Sequence, residues 1–345
     1  MNAKALEPTV NSLERMTALA KAALTHWDLE GCVPELLKFR ENAVFRVVRP
    51  QETPVVLRIH RLGYHSDASL RSEHAWMEQL DNHGVMVPKV IRAHGGASFA
   101  HVEAPGESTS WQADLLSWLD GQPLGRNGSA LIMPATQIAA TFEALGRTMA
   151  RMHNLASRGL QGLRFERHAW DLDGLLGSRP VWGSYQHAPH LDATQHERLT
   201  AAHRTAQAEL AAYEKSDRNF SMIHADLVRE NILLGDGVQI LDFDDAGFGW
   251  HMYDVAVALY QNRDEAEYPL IERSLLFGYR RERDLTADDE ATLPLFTLAR
   301  ALALLGWISS RADSDVAREA GLQLVTRALA ATDAYLAARR SRGLS

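Results

Sequence analysis

MIHADLVRENILLGDGVQILDFDDAG, residues 222–247, is the stretch on which the reading of the fold turns. Residues 232–234 and 238–241 are apolar strand segments, and Gly235, Asp236 and Gly237 between them suit a tight hairpin loop. If Leu234 faces Val238, then Ile232 faces Ile240 and Asn231 faces Leu241. Asn231 and Asp242 then leave the open end of one hairpin side by side. Both carry hard oxygen donors, which suit Mg2+, a cation that takes one or two carboxylates together with phosphate oxygens and water. Asp226 lies five residues before Asn231. A carboxylate there can accept a hydroxyl proton and orient the attacking oxygen. The spacing H-x-D-x4-N is weak alone. Followed by an apolar hairpin that ends in Asp-Phe, it points to phosphoryl transfer, which needs mainly positioning and charge neutralisation. His224 reads as a brace for this loop rather than as an acid or base.

A second signal lies upstream. Residues 36–49 read as two short strands around Arg40, Glu41 and Asn42, and VVLRIH, 55–60, as a third. A helix over 69–80 places Leu70, Met77 and Leu80 on one inward stripe together with Glu73. A carboxylate on that stripe needs a cationic partner, and Arg58, central in its strand, can supply it. Such a pair presents positive charge to nucleotide phosphates; the plainer reading is a stabilising ion pair. Residues 97–103 and 113–119 suggest a further hairpin joined through Pro105 and Gly106. The run 121–129, rich in Gly, Pro, Asn and Ser, is the linker candidate. Beyond it the chain is mainly helical, with long helical patterns over 135–155, 196–215, 293–308 and 315–340.

These residues resemble the aminoglycoside phosphotransferase and choline kinase superfamily, the small-molecule relatives of protein kinases. The resemblance runs from about residue 36 to about 303 and is carried by MIHADLVRENILL with QILDFDDAGFGWHMYDVA, and less specifically by VVLRIHRLGY with SLRSEHAWMEQL. It is similar, too, to homoserine kinases of this fold and to the stress-response kinase A group. The resemblance implies an α+β, two-lobed protein-kinase-like fold. An N-terminal lobe (1–119) would hold an antiparallel sheet plus helix, and a mainly helical C-terminal lobe (120–345) would hold the inserted catalytic hairpin. It implies ATP as co-substrate and Mg2+ as cofactor. Asp226 would be the catalytic aspartate, with Asn231 and Asp242 on the metal. Arg58 and Glu73 would stand at the positions of the phosphate-anchoring lysine and its glutamate. The loop around Asn42 would cover the phosphates, Val56 would line the adenine pocket, and Ser117 to Leu119 would offer backbone groups to adenine. Asp254 would brace the catalytic loop. Three departures stand out. Arginine replaces lysine at 58, which is not a neutral exchange, the G-x-G-x-x-G loop is absent, and Asp244 stands where the glycine of Asp-Phe-Gly would be, with Asp245 beside it.

Composition narrows the class. With 345 residues, 46% hydrophobic and 23% charged, the chain can bury two cores. A net charge of −8 and a pI near 6.0 disfavour a general nucleic-acid binder. One cysteine, Cys32, excludes an intrachain disulfide and suits a cytoplasmic setting. The N-terminal residues pattern as a surface helix rather than a signal peptide. No run of about 20 apolar residues, the length that spans a bilayer, is expected. Among fifteen histidines, His60, His65 and His74 cluster without a metal-ligand motif, and surface or packing roles are expected. The eight tryptophans read as core, although Trp250 and His251 could equally reach an acceptor pocket. Asp244 and Asp245 could contact a second metal or the substrate, or simply brace a loop. The leading expectation is transfer of the ATP γ-phosphate to a small-molecule hydroxyl. The competitors are a protein kinase of the stress-response type and a non-catalytic nucleotide-binding module, with a metal-dependent hydrolase further off. Acceptor identity and oligomeric state are not legible.

Overall fold

The computed structural model describes residues 10–39, 42–49, 51–158, 165–311 and 315–343. Arg40 and Glu41, placed by the sequence at the first hairpin loop, lie outside the described residues. The chain is α+β and forms two compact units: 1–121 with 163–166, and 122–162 with 167–345.

In the first unit, α1 (Val10–Ala23) precedes β1 (Pro34–Phe39), β2 (Ala43–Val47) and β3 (Val55–Ile59). Then follow α2 (Asp67–Asn82), β4 (Val90–Ile91), β5 (Ala100–Glu103) and β6 (Ser110–Ser117). The sheet is antiparallel in the order β1-β2-β3-β6-β4, with β5 also on β6. Strand alternation makes its core: Phe45, Val47, Val55, Leu57 and Ile59 are buried against Leu19, Ala20 and Ala23 of α1. Each fully buried Phe or Leu side chain contributes about 1.5–3 kcal/mol. Helix α2 begins at Asp67, two residues before the apolar pattern, because the Ser66 hydroxyl accepts the Ser69 amide and caps it. Strand β6 starts at Ser110 rather than 113 because β5 pairs along it, Glu103 opposite Ser110, and it ends at Ser117 instead of 119.

The second unit opens with a surprise. The stretch 121–129, read as linker, contains β7 (Gln122–Pro123), which pairs with β10 (Ile232–Leu234), the first strand of the hairpin. Pro123 tolerates this place because an edge strand need not use every amide. The unit continues through α3 (Ala135–Ser157), β8 (Ala169–Trp170), α4 (Leu172–Leu176), α5 (Ala193–Ala212) and β9 (Phe220–Ile223). After β10 come β11 (Val238–Ile240), β12 (Gly247–Trp250), α6 (His251–Tyr260), α7 (Tyr268–Arg280), α8 (Ala287–Ala291), α9 (Leu293–Ser309) and α10 (Asp315–Ser341). Its sheets run β11-β10-β7 and β8-β12-β9. Helices α3 and α7 meet at Gly146 and Gly278, where a Cβ on either would overlap the backbone of Leu275 or Glu143. Against expectation, residues 287–309 are long and apolar enough to cross a bilayer by length and composition, but 72% of that apolar window is buried within the protein. The stretch serves here as a core helix, and its run of Leu and Ala is interrupted by one charge, Arg300.

Candidate active site

The hairpin has the register deduced from its sequence: Ile232 opposite Ile240, Leu233 opposite Gln239 and Leu234 opposite Val238. The pairing extends one step further, since the Leu241 amide donates to the Asn231 carbonyl at 2.8 Å. Asn231 and Leu241 are therefore opposed, and Asp242 is the next residue out. Asp242 adopts a left-handed backbone, φ 63°. Ala225, just before Asp226, is also left-handed at φ 64°. Each such non-glycine residue costs about 1–3 kcal/mol unless its surroundings hold it.

Asp254, fully buried on α6, holds Ala225. Its Oδ1 accepts the Ala225 amide at 2.7 Å and its Oδ2 the His224 amide at 3.2 Å. His153 on α3 bonds the same Oδ2 through Nε2 at 3.1 Å, while Tyr279 donates its hydroxyl to His153 Nδ1 at 2.8 Å. His224 ties the two ends of the site together. Its Nε2 faces the Leu241 carbonyl at 2.8 Å, which only accepts, so that nitrogen carries the proton. Its Nδ1 is then free to accept the Asp226 amide at 3.3 Å.

The Asp226 carboxylate is bracketed. Arg300 donates to Oδ1 at 2.7 Å and Asn231 Nδ2 to Oδ2 at 3.2 Å; the same amide group also reaches the Asp226 carbonyl at 2.9 Å. Asn231 thus spends its NH2 on Asp226 and turns its oxygen elsewhere. Burial opposes the charge on Arg300, yet Asp226 and Tyr253 hold its pKa above the usual value. Arg300 lies 4.7 Å from the ring centre of Trp182, whose indole N–H donates to Asp245 Oδ1 at 2.9 Å. Burial pushes the Tyr253 phenol up to about 12. Its hydroxyl lies near Arg300 but forms no hydrogen bond of acceptable geometry among the described residues.

In the first unit, Arg58 meets more than Glu73. Its Nε donates to Asp114 Oδ1 at 2.9 Å and its Nη2 to Asp114 Oδ2 at 2.5 Å, while Nη2 reaches Glu73 Oε1 at 2.9 Å. His60 and His74 approach the same Asp114 Oδ2 through Nε2, at 2.9 and 2.7 Å. Burial opposes charge on Asp114, but Arg58 and the two histidines hold its carboxyl well below the usual range. His60 and His74 are thus buried hydrogen-bonding partners rather than surface residues. The Asn42 side-chain oxygen, just before β2, accepts the Arg61 amide just past β3 at 3.0 Å. Val56 is half-buried on β3, opposite Leu116. The Ser117 amide donates to Lys89 O at 2.9 Å and its hydroxyl accepts the Lys89 amide at 2.8 Å; Leu119 lies beyond the strand.

Trp250 is buried against Tyr213, Phe220 and Phe296. His251 stacks on His153 and bonds Ser221 Oγ at 2.7 Å, so both are core residues. Sequence reasoning missed Arg300, Asp114, Trp182 and Tyr253. A lone arginine in an apolar helix was the available signal for the first.

Residues 35–285 match the phosphotransferase enzyme family. A homoserine kinase of Nitrobacter hamburgensis is 28% identical over 66% of this chain and 64% of its own length. The solved structure of a microcompartment-associated aminopropanol kinase is 30% identical, covers 94% of this chain and 98% of its own, and superposes with a TM-score of 0.80. An amicoumacin kinase, solved with AMP-PNP and Ca2+, shares the fold at 19% identity and a TM-score of 0.71, over 95% and 94% of the two chains.

Proposed function

The chain belongs to the phosphotransferase enzyme family, and from that premise we propose that it moves the γ-phosphate of ATP to the hydroxyl of a small molecule in a Mg2+-dependent reaction. The observation that carries the proposal is the bracketed Asp226 carboxylate, with Asn231 beside it and Asp242 one residue beyond the opposed pair. The donor set fits a hard divalent cation: the Asn231 amide oxygen and the Asp242 carboxylate would hold it. Bound there, Mg2+ would neutralise charge on the nucleotide phosphates. Asp226 would accept the acceptor hydroxyl's hydrogen bond and take its proton as the oxygen attacks. Asp254 and His224 would keep the loop in its strained conformation meanwhile.

In the first unit, Arg58 with Glu73 would face the nucleotide phosphates, with Asn42, Val56 and the backbone of 117–119 around the nucleotide. The grip of Asp114 on Arg58 supports a second reading of that position, an ion-pair hub that shapes the sheet and presents little net charge. Homoserine and aminopropanol, named for two relatives, both carry a hydroxyl and an amine on a short carbon chain. A short amino alcohol is the acceptor class we favour, in an ATP-supplied, reducing cytoplasm that suits the lone Cys32.

The test is ADP release from MgATP with 1-amino-2-propanol, homoserine and choline, with the phosphorylated product identified by mass. Acceptor-dependent ADP release with a product heavier by one phosphoryl group is expected. Release independent of every acceptor, or label appearing on a protein substrate instead, would contradict the proposal.

A further inference from the structure

We infer that Arg300 is a positioning residue for phosphotransfer: it clamps one oxygen of the Asp226 carboxylate while Asn231 holds the other, so that an acceptor hydroxyl meets a carboxylate of fixed orientation. The inference rests on the reading of Asp226 as the group that faces the acceptor.

Arg300 is the only charged residue of α9, in the sequence LPLFTLARALALLGWIS. A cation in such a helix is costly unless it is paired and hydrogen-bonded. Packing alone would be served by a leucine there. The contacts explain its presence. One guanidinium nitrogen reaches Asp226 Oδ1 at 2.7 Å and another reaches the Ala225 carbonyl at 3.3 Å, so Arg300 spans the strained residue and the side chain that follows it. The Trp182 ring covers the guanidinium at 4.7 Å, and Trp182 is itself pinned by its hydrogen bond to Asp245. The cation therefore has little room to swing. Asn231 takes the opposite carboxylate oxygen at 3.2 Å. With both oxygens held, the carboxylate cannot turn about its Cβ–Cγ bond, and its remaining lone pairs keep one direction.

The exposure of the two partners argues for use rather than mere stability. The Arg300 side chain is 3% exposed, the Asp226 side chain 23%. A purely structural ion pair has no need of an open carboxylate, and sealing a cation carries a desolvation cost. Here the cation is sealed while the carboxylate keeps part of its surface open to solvent. Lysine cannot replace the clamp, since a point charge on a flexible stem lacks the planar fork that spans two acceptors.

The experiment compares wild type, Arg300→Gln, Arg300→Lys and Asp226→Asn. It follows MgATP turnover with 1-amino-2-propanol and, because water needs no assigned acceptor, MgATP hydrolysis without it. MgATP affinity is measured by calorimetry and folding by thermal unfolding. A carboxylate displaced by about 1 Å loses about 100-fold in rate, so kcat of Arg300→Gln should fall by that factor while MgATP affinity changes by less than about threefold. Arg300→Lys, which keeps the charge, should recover about tenfold of that loss, since it restores attraction without the fork. A folded Arg300→Lys with wild-type kcat overturns the inference, and that variant decides the matter if Arg300→Gln does not fold. A kcat loss matched by an equal loss of MgATP affinity also overturns it, because a general distortion of the site would be the cause. If Asp226→Asn turns over at the wild-type rate, the parent reading fails. If Asp226→Asn is dead and Arg300→Lys is unimpaired, only the clamp fails.

Discussion

The Asp226 loop and the Arg58 cluster both keep charge in buried surroundings, and they do so in opposite ways. Around Asp226 much of the apparatus is local: His224, Ala225, Asn231 and Leu241 lie within one short run, tied by backbone amides and carbonyls. Around Arg58 the partners are side chains from distant places. Glu73 comes from α2, His60 from just past β3, and Asp114 from β6, 56 residues away from Arg58. The two also differ in what is left open. The Asp226 side chain is 23% exposed, whereas those of Arg58 and Asp114 are 7% and 0%. Openness at a carboxylate suits a group that must meet a substrate. Closure over a carboxylate with several donors suits a group that shapes a sheet. Breaking the first should cost activity before stability, and breaking the second should cost stability before activity.

The sharpest break is Asp226→Asn. Loss of a positioned base costs typically about 10²–10⁴-fold in rate, and kcat should fall towards the upper end, with the thermal unfolding midpoint little changed. Steady-state turnover and a melting curve on the same sample check both halves.

Asp114→Ala inverts that pattern. It leaves Arg58, His60 and His74 buried around a missing acceptor. Removing one partner of a buried charged network costs about 3–5 kcal/mol, and urea unfolding should register it. A loss below about 1 kcal/mol would mean that the cluster does not share its charge as the geometry indicates.

A smaller effect joins the two. Asp254→Asn keeps the shape but loses one acceptor for the amides of His224 and Ala225. A buried donor left without a partner costs about 1–3 kcal/mol. Because Ala225 then loses part of what holds its left-handed backbone, kcat should drop as well. Stability loss without a rate loss would separate the brace from the reaction.

A probe that needs no substitution is pH. Burial, with Asp254 opposing it, lowers the His153 pKa; burial, with His153 adding to it, lowers that of His251 well below the usual value. The folded state therefore keeps both rings neutral. Above the unfolded imidazole value of about 6.5 both states are deprotonated and nothing is lost. Below it the unfolded chain binds protons that the folded chain refuses, so stability falls with a slope of about 1.4 kcal/mol per pH unit for each ring. The decline ends once pH drops below the folded values. Urea midpoints measured from pH 8 to 5 should fall below about 6.5, and His251→Phe should flatten the curve.

The hairpin was legible in the sequence because a period of two, a Gly-Asp-Gly turn and a single register determine which residues emerge together. The fold class followed from the motif and its resemblance. The partner of Arg58 was only half legible: Glu73 shares a short segment with it, but Asp114 sits in a strand whose neighbours were unknown until β6 was seen beside β3. Arg300 was invisible to motif spacing because its contact with Asp226 spans 74 residues. Strand β7 was hidden by composition, since Gly and Pro read as linker whether or not the backbone finds an edge to pair with. Trp250 and His251 sat near the motif in sequence, yet the strand and helix they belong to turn them into the core.

The most direct trial of the central claim is the Mg2+ dependence of γ-phosphate transfer from ATP in wild type and Asp242→Asn. If Asn231 and Asp242 hold the cation beside Asp226, wild type should saturate with Mg2+, and the variant should need at least about tenfold more to reach half its maximal rate. Identical Mg2+ curves and identical rates for the two proteins would contradict it.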